Sequence, residues 1–69
     1  MNYNLIGTWK AVRKTTYGES TEASISVNVG QTFRVIEALE GDMVLIEKGD
    51  TITETVVGTL QLSAKKISE

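Results

Sequence analysis

Residues 30–50 read GQTFRVIEALEGDMVLIEKGD. Two apolar runs, TFRVIEAL and MVLIE, are separated by Glu40-Gly41-Asp42, and Lys48-Gly49-Asp50 closes the second run. The first run decides the fold. Phe33, Ile36 and Leu39 fit one face of a helix, and Ala38, Leu39 and Glu40 have helical propensity. The run is short, however, β-branched at its centre, and set between two stretches of strand character. It therefore reads as a strand over 32–39 with Phe33 and Val35 inward. Glu40-Gly41-Asp42 becomes a three-residue turn in which Gly41 supplies positive φ at no steric cost. Lys48-Gly49-Asp50 repeats the device and leads into TITETVV at 51–57. The stretch is thus expected to be the central meander of the fold, with Phe33, Val35, Leu45 or their neighbours in the core.

Outward from this meander the same grammar continues. Glycines at 7, 18, 30, 41, 49 and 58 punctuate a chain without proline, which suits short antiparallel strands joined by turns. LIGTWKAVRK at 5–14 reads as the first strand, with Ile6, Trp9 and Ala11 as inward positions. TTYGESTEA at 15–23 is polar and reads as a long loop. SISVNV at 24–29 alternates cleanly, with Ile25, Val27 and Val29 on one face. A last short strand is expected at 59–62. Five to six strands with too few residues for two full sheets would remove most exposed edges by closing on themselves. The expectation is an all-β, small barrel of antiparallel strands, with a single helical turn near residues 62–66.

At 69 residues the chain has room for a single domain, residues 1–69. A domain of this size buries about 60% of the surface that its unfolded chain exposes. There is no cysteine for a disulfide or thiolate and no histidine to serve as a neutral-pH base or metal ligand. Seven basic and nine acidic residues leave a net charge of −2, so an overall basic footprint for nucleic acid is absent. MNYNLIGTW has no basic n-region followed by a long apolar stretch. The longest apolar run, Met43-Val44-Leu45-Ile46, is far too short to span a bilayer. The expectation is a soluble, cytoplasmic protein with no membrane association.

The order of features from Trp9 to Ile67 resembles the SH3-like β-barrel family. AVRKT at 11–15 stands where the family opens with Ala-Leu-Tyr-Asp-Tyr, followed by the loop TYGESTEA and then SISVNVGQ. TFRVIEALEGD and MVLIE follow the family's strand, short acidic loop and strand, and VVGTLQLSAKKI is similar in spacing to its last segment. The resemblance implies a small barrel and a protein-interaction module. The departures are specific. The opening tyrosines fall on Arg13 and Thr15, the tryptophan of the third strand on Met43, and the late proline and tyrosine near Gln61 and Ala64. Every aromatic needed to stack on a polyproline helix is missing, so that mode of recognition is not expected.

The resemblance leaves charge as the means of recognition. In the family, two acidic loops flank the groove and receive a basic residue of the ligand. The counterparts here are Tyr17, Glu19 and Glu22 in one loop, and Glu37, Glu40 and Asp42 in the other, with Met43 and Trp9 as floor. That implies a protein partner with a Lys/Arg-bearing segment. The alternative is a nucleic-acid-associated barrel. If the first and last strands pair, Lys10, Arg13, Lys14, Lys65 and Lys66 form one basic patch, with Tyr3, Tyr17 and Trp9 available for stacking. A solubilised strand edge would have the same lysines.

Catalysis is not expected. The acids are expected in polar turns, where no apolar pocket sets one carboxylate of a pair apart from the other. Serines and threonines lack an activating base. No DxDxDG-type loop offers a metal site, no phosphate-binding glycine loop occurs, and no cofactor is expected. Trp9 is expected to plug the core at one end.

Overall fold

The computed structural model describes residues 3–18 and 23–69. A 3₁₀ turn at Tyr3–Leu5 precedes β1 (Gly7–Ala11), β2 (Thr15–Tyr17), β3 (Ile25–Val27), β4 (Thr32–Leu39), β5 (Met43–Lys48) and β6 (Thr51–Val56). Helix α1 (Val57–Ser63) then leads directly into β7 (Ala64–Ser68). Five strands form one antiparallel sheet in the order β6-β5-β4-β1-β7, and β2 pairs with β3 in a separate hairpin.

The long strand β4 joins the two halves of the large sheet. Its first residues pair with β1, Phe33 opposite Trp9 and Val35 opposite Gly7. Its later residues pair with β5, Ala38 opposite Val44 and Leu39 opposite Met43. Between them the register slips: Val35 faces Ile46 but Glu37 faces Leu45, so Ile36 is an extra residue. An inserted residue of this kind bends a strand and increases its twist. Burial follows, with strict alternation through Val35 and half-burial at Ile36.

The turns set the register on either side. Leu39 pairs with Met43 around residues 40–42, where Gly41 and Asp42 have φ of 69° and 57°. Asp tolerates this region better than most residues. Lys48 pairs with Thr51, so the next turn has two residues, Gly49 and Asp50, rather than the three expected. Positive φ at Gly49 alone is the sign pattern of a type II′ turn, which matches the twist of adjoining strands.

The core gathers Leu5, Trp9, Tyr17, Ile25, Val27, Phe33, Val35, Val44, Ile46, Val57 and Leu60 with small residues between. Trp9 is buried as expected, and its indole N–H donates to the Leu5 carbonyl at 2.7 Å. On β5 the inward residues are Val44 and Ile46, and Leu45 points to the other face. Val29 lies beyond the end of β3 and is exposed, although Ile25 and Val27 are buried.

Two stretches differ from the expectation. The presumed loop at 15–23 contains β2, whose Tyr17 packs its ring against Phe33 at 5.3 Å between centroids. Residues 57–63 are a helix, not a strand followed by a turn at 62–66, and residues 64–68 form β7. The helix has no side-chain N-cap, but the Val57 N–H donates to the Asp42 carbonyl at 2.8 Å. Val57, Leu60 and Ser63 face inward three residues apart, so packing rather than propensity holds these roughly two turns.

Candidate functional site

Charge divides the sheet. Of the seven basic residues, all but Lys48 lie on β7, β1, the segment after β1 and the first half of β4. Glu37, Glu40, Asp42, Glu47, Asp50 and Glu54 lie on the second half of β4, on β5 and β6, and in their turns. The boundary falls on one cross-strand pair, Arg34 of β4 opposite Glu47 of β5.

On the acidic side, Glu40 and Asp42 are exposed in the β4–β5 turn, and Glu37 is exposed near the end of β4. Met43 is half-buried between Leu39 and Val56 as cross-strand neighbours. The Asp42 carbonyl ties this turn to the start of α1. Glu19 and Glu22, expected on the opposing wall, lie outside the described residues. The stem of their loop is placed, however. A Cβ on Gly18 would lie 2.2 Å from Thr53 Oγ1 and 2.8 Å from the Ala23 carbonyl, so Gly18 itself packs closely on β6 at Thr53. The β4–β5 turn abuts the same strand three residues further on, beside Val56. At strand rise that separation is about 10 Å. Gly18 thus meets β6 on its buried face at Thr53, and the β4–β5 turn meets the far end of that strand beside exposed Val56.

Tyr17 and Trp9 do not line the acidic side, being 1% and 4% exposed. The Tyr17 hydroxyl bonds Ser63 Oγ, whose own proton goes to the Thr59 carbonyl at 2.7 Å. Ser63 has a single proton, so Tyr17 is the donor between them. Burial raises the Tyr17 pKa, and the Ser63 hydroxyl, which can turn to donate to the phenolate, opposes that shift in part.

On the basic side, β1 and β7 pair as the sequence suggested. Lys10 stands directly opposite Lys65, and both are exposed. Lys66 sits opposite Trp9, where its ammonium donates to the Asn4 carbonyl at 2.7 Å and lies 3.9 Å from the Glu69 carboxylate. Arg13 and Lys14 are exposed just past β1, and the Val12 and Arg13 amides both donate to the Ser63 carbonyl. Arg34, which sequence reasoning left out, joins this face and donates to Thr8 Oγ1 at 3.0 Å. Of the aromatics proposed for stacking, Tyr3 is exposed.

Sequence reasoning also left out the outer face of β5 and β6. Thr53 and Thr55 are buried, whereas Ile52 and Val56 on the same strand are 45% and 48% exposed. Apolar alternation on TITETV argues for the reverse. Pairing settles it: Thr53 and Thr55 oppose the inward Ile46 and Val44, and a one-residue slip would turn every side chain over.

These features define a small antiparallel β protein with one short helix and an electrically divided sheet. No family model, no curated protein and no solved structure matches this chain. Among the described residues, no group of three or more acidic residues is placed to hold a metal ion, and no helix is long and apolar enough to cross a membrane.

Proposed function

We propose that this chain is a non-catalytic, SH3-like interaction module whose acidic side docks a Lys/Arg-bearing segment of a protein partner. The architecture supports the SH3-like reading: a long hairpin excursion between the first two large-sheet strands, a three-stranded meander, and a single short helix before a last strand that returns to β1. The observation that carries the functional reading is the gathering of carboxylates on β4, β5 and β6, with Glu40 and Asp42 exposed in a turn beside half-buried Met43. Complementary charge of this kind chiefly sets partner choice and association rate.

Charge reversal tests it. Glu40→Lys with Asp42→Lys should remove partners that the parent chain retains from a native lysate, while thermal stability stays within a few degrees. Asp42 has positive φ, so a matched Asp42→Asn variant controls for the turn itself. Undiminished capture by the charge-reversed chain, with the fold intact, would sink the reading.

The second reading is nucleic-acid association through Lys10, Arg13, Lys14, Lys65 and Lys66. The direct opposition of Lys10 and Lys65 favours it, because two like charges held side by side cost stability unless something anionic lies across them. Affinity for generic DNA or RNA that falls steeply with salt would establish it.

A further inference from the structure

The outer face of β4, β5 and β6 breaks the rule that a half-buried strand turns its apolar residues inward. Leu45 lies between Glu37 on one neighbouring strand and Glu54 on the other. Ile52 stands opposite Glu47, and Val56 opposite Met43. Aliphatic side chains are thus interleaved with carboxylates on a surface where polar residues alone would keep the protein in solution. Breaches of local patterning concentrate where a surface does something besides fold.

This face also has relief. A shallow depression of about 240 Å³ is lined by Ala23, Leu45, Ile52, Thr53 and Glu54. Pockets that enclose drug-sized molecules run from about 300 to 1,000 Å³, so this one suits a single long side chain better than a small ligand. Its lining offers the aliphatic Leu45 and Ile52 together with the Glu54 carboxylate. A Lys or Arg side chain meets both demands, laying methylenes on Leu45 and Ile52 while its charge reaches Glu54.

We infer that this depression is the anchor site for a Lys or Arg residue of an extended partner segment, whose neighbouring apolar residues cover Ile52 and Val56. The inference rests on the reading that the partner is a basic protein segment, but it assigns the anchor to β5 and β6 rather than to the turn at 40–42.

Amide NMR titration separates the two. The probes are three short blocked peptides: alternating Lys and Val, oligolysine of equal charge, and alternating Glu and Val. The Lys–Val peptide should give saturable shifts centred on Leu45, Ile52 and Glu54, and it should bind more tightly than oligolysine. Glu54→Gln should weaken it roughly three- to fivefold, as expected for an exposed ion pair. Ile52→Ser should weaken it without altering oligolysine. The variant with Glu40→Lys and Asp42→Lys should bind it more weakly, because four units of charge are reversed nearby, but with the shifts still centred on Leu45, Ile52 and Glu54.

Shifts centred on 40–42 and lost in that variant would overturn the anchor while leaving the docking reading standing. No saturable shift, or equal binding of oligolysine, would overturn the anchor outright. Movement of the Leu45, Ile52 and Glu54 resonances with protein concentration alone would overturn it in favour of a second copy of the chain.

Discussion

Tyr17 shows how one side chain joins three elements. It comes from β2, stacks obliquely on Phe33 of β4, and donates to Ser63 at the end of α1. Removing the hydroxyl leaves Ser63 its bond to Thr59, so Tyr17→Phe should cost about 1 kcal/mol at neutral pH. The pH dependence has a definite sign. Burial raises the folded pKa above the ordinary 10.0, so the folded state holds this proton more tightly than the unfolded state does. Stability from this group is complete below about pH 10 and is lost as pH rises through the folded pKa. Urea midpoints of the parent should therefore fall across that window more steeply than those of Tyr17→Phe. Tyr3→Phe, at an exposed position, should leave the slope unchanged. Parallel curves for the parent and Tyr17→Phe would remove the buried hydroxyl from the account. A tyrosine in a run of threonine, glycine, serine and glutamate gave no periodic signal, so its burial was not legible from its neighbours. It follows from a hairpin too short to show alternation.

At the scale of elements, the central meander was legible and the helix was not. Residues 32–39 form a strand with the bounds that the sequence suggests, and Phe33 and Val35 point inward. β-branching, turn glycines and length agreed there, and agreement among local signals specifies structure. The face of β5 was harder to read, because MVLI offers apolar residues to both faces. In α1 the local signals opposed the outcome: Val57, Gly58 and Thr59 are weak helix formers. Leu60, fully buried, overrides them. Leu60→Ala should cost about 2–5 kcal/mol through the cavity it leaves. Gly58→Ala makes the complementary test. Gly58 is exposed, its φ is not positive, and an added Cβ meets nothing within 4 Å. In a helix that substitution should stabilise by about 0.5–1 kcal/mol. Chemical denaturation of both variants measures the pair, and a loss on Gly58→Ala would argue against helix at 57–63.

For the whole molecule, the net charge of −2 hides a division that composition could not reveal. The pairing of first and last strands was legible in outline, and with it the basic patch, but Arg34 and the outward Ile52 and Val56 depended on register. The acidic wall expected from Glu19 and Glu22 lies outside the described residues, so the candidate site stands on Glu37, Glu40, Asp42 and Met43. Division has an energetic consequence at Lys10 and Lys65. Like charges directly opposite in an antiparallel pair are unfavourable, and opposite charges gain a few tenths to about 1 kcal/mol. Lys65→Glu should therefore raise stability by an amount in that range at low salt, with the gain shrinking as salt screens the pair. The same substitution separates the two functional readings. If the basic face holds nucleic acid, Lys65→Glu abolishes an affinity that the parent shows at low salt. If the acidic side docks a basic segment, the variant is more stable and its binding of the Lys–Val peptide is unchanged. Thermal unfolding at two salt concentrations, beside the peptide titration, reads both effects from one protein. A variant no more stable than the parent at low salt would mean that the Lys10–Lys65 opposition is already relieved by solvent, and that the basic face carries no stored cost for a ligand to repay.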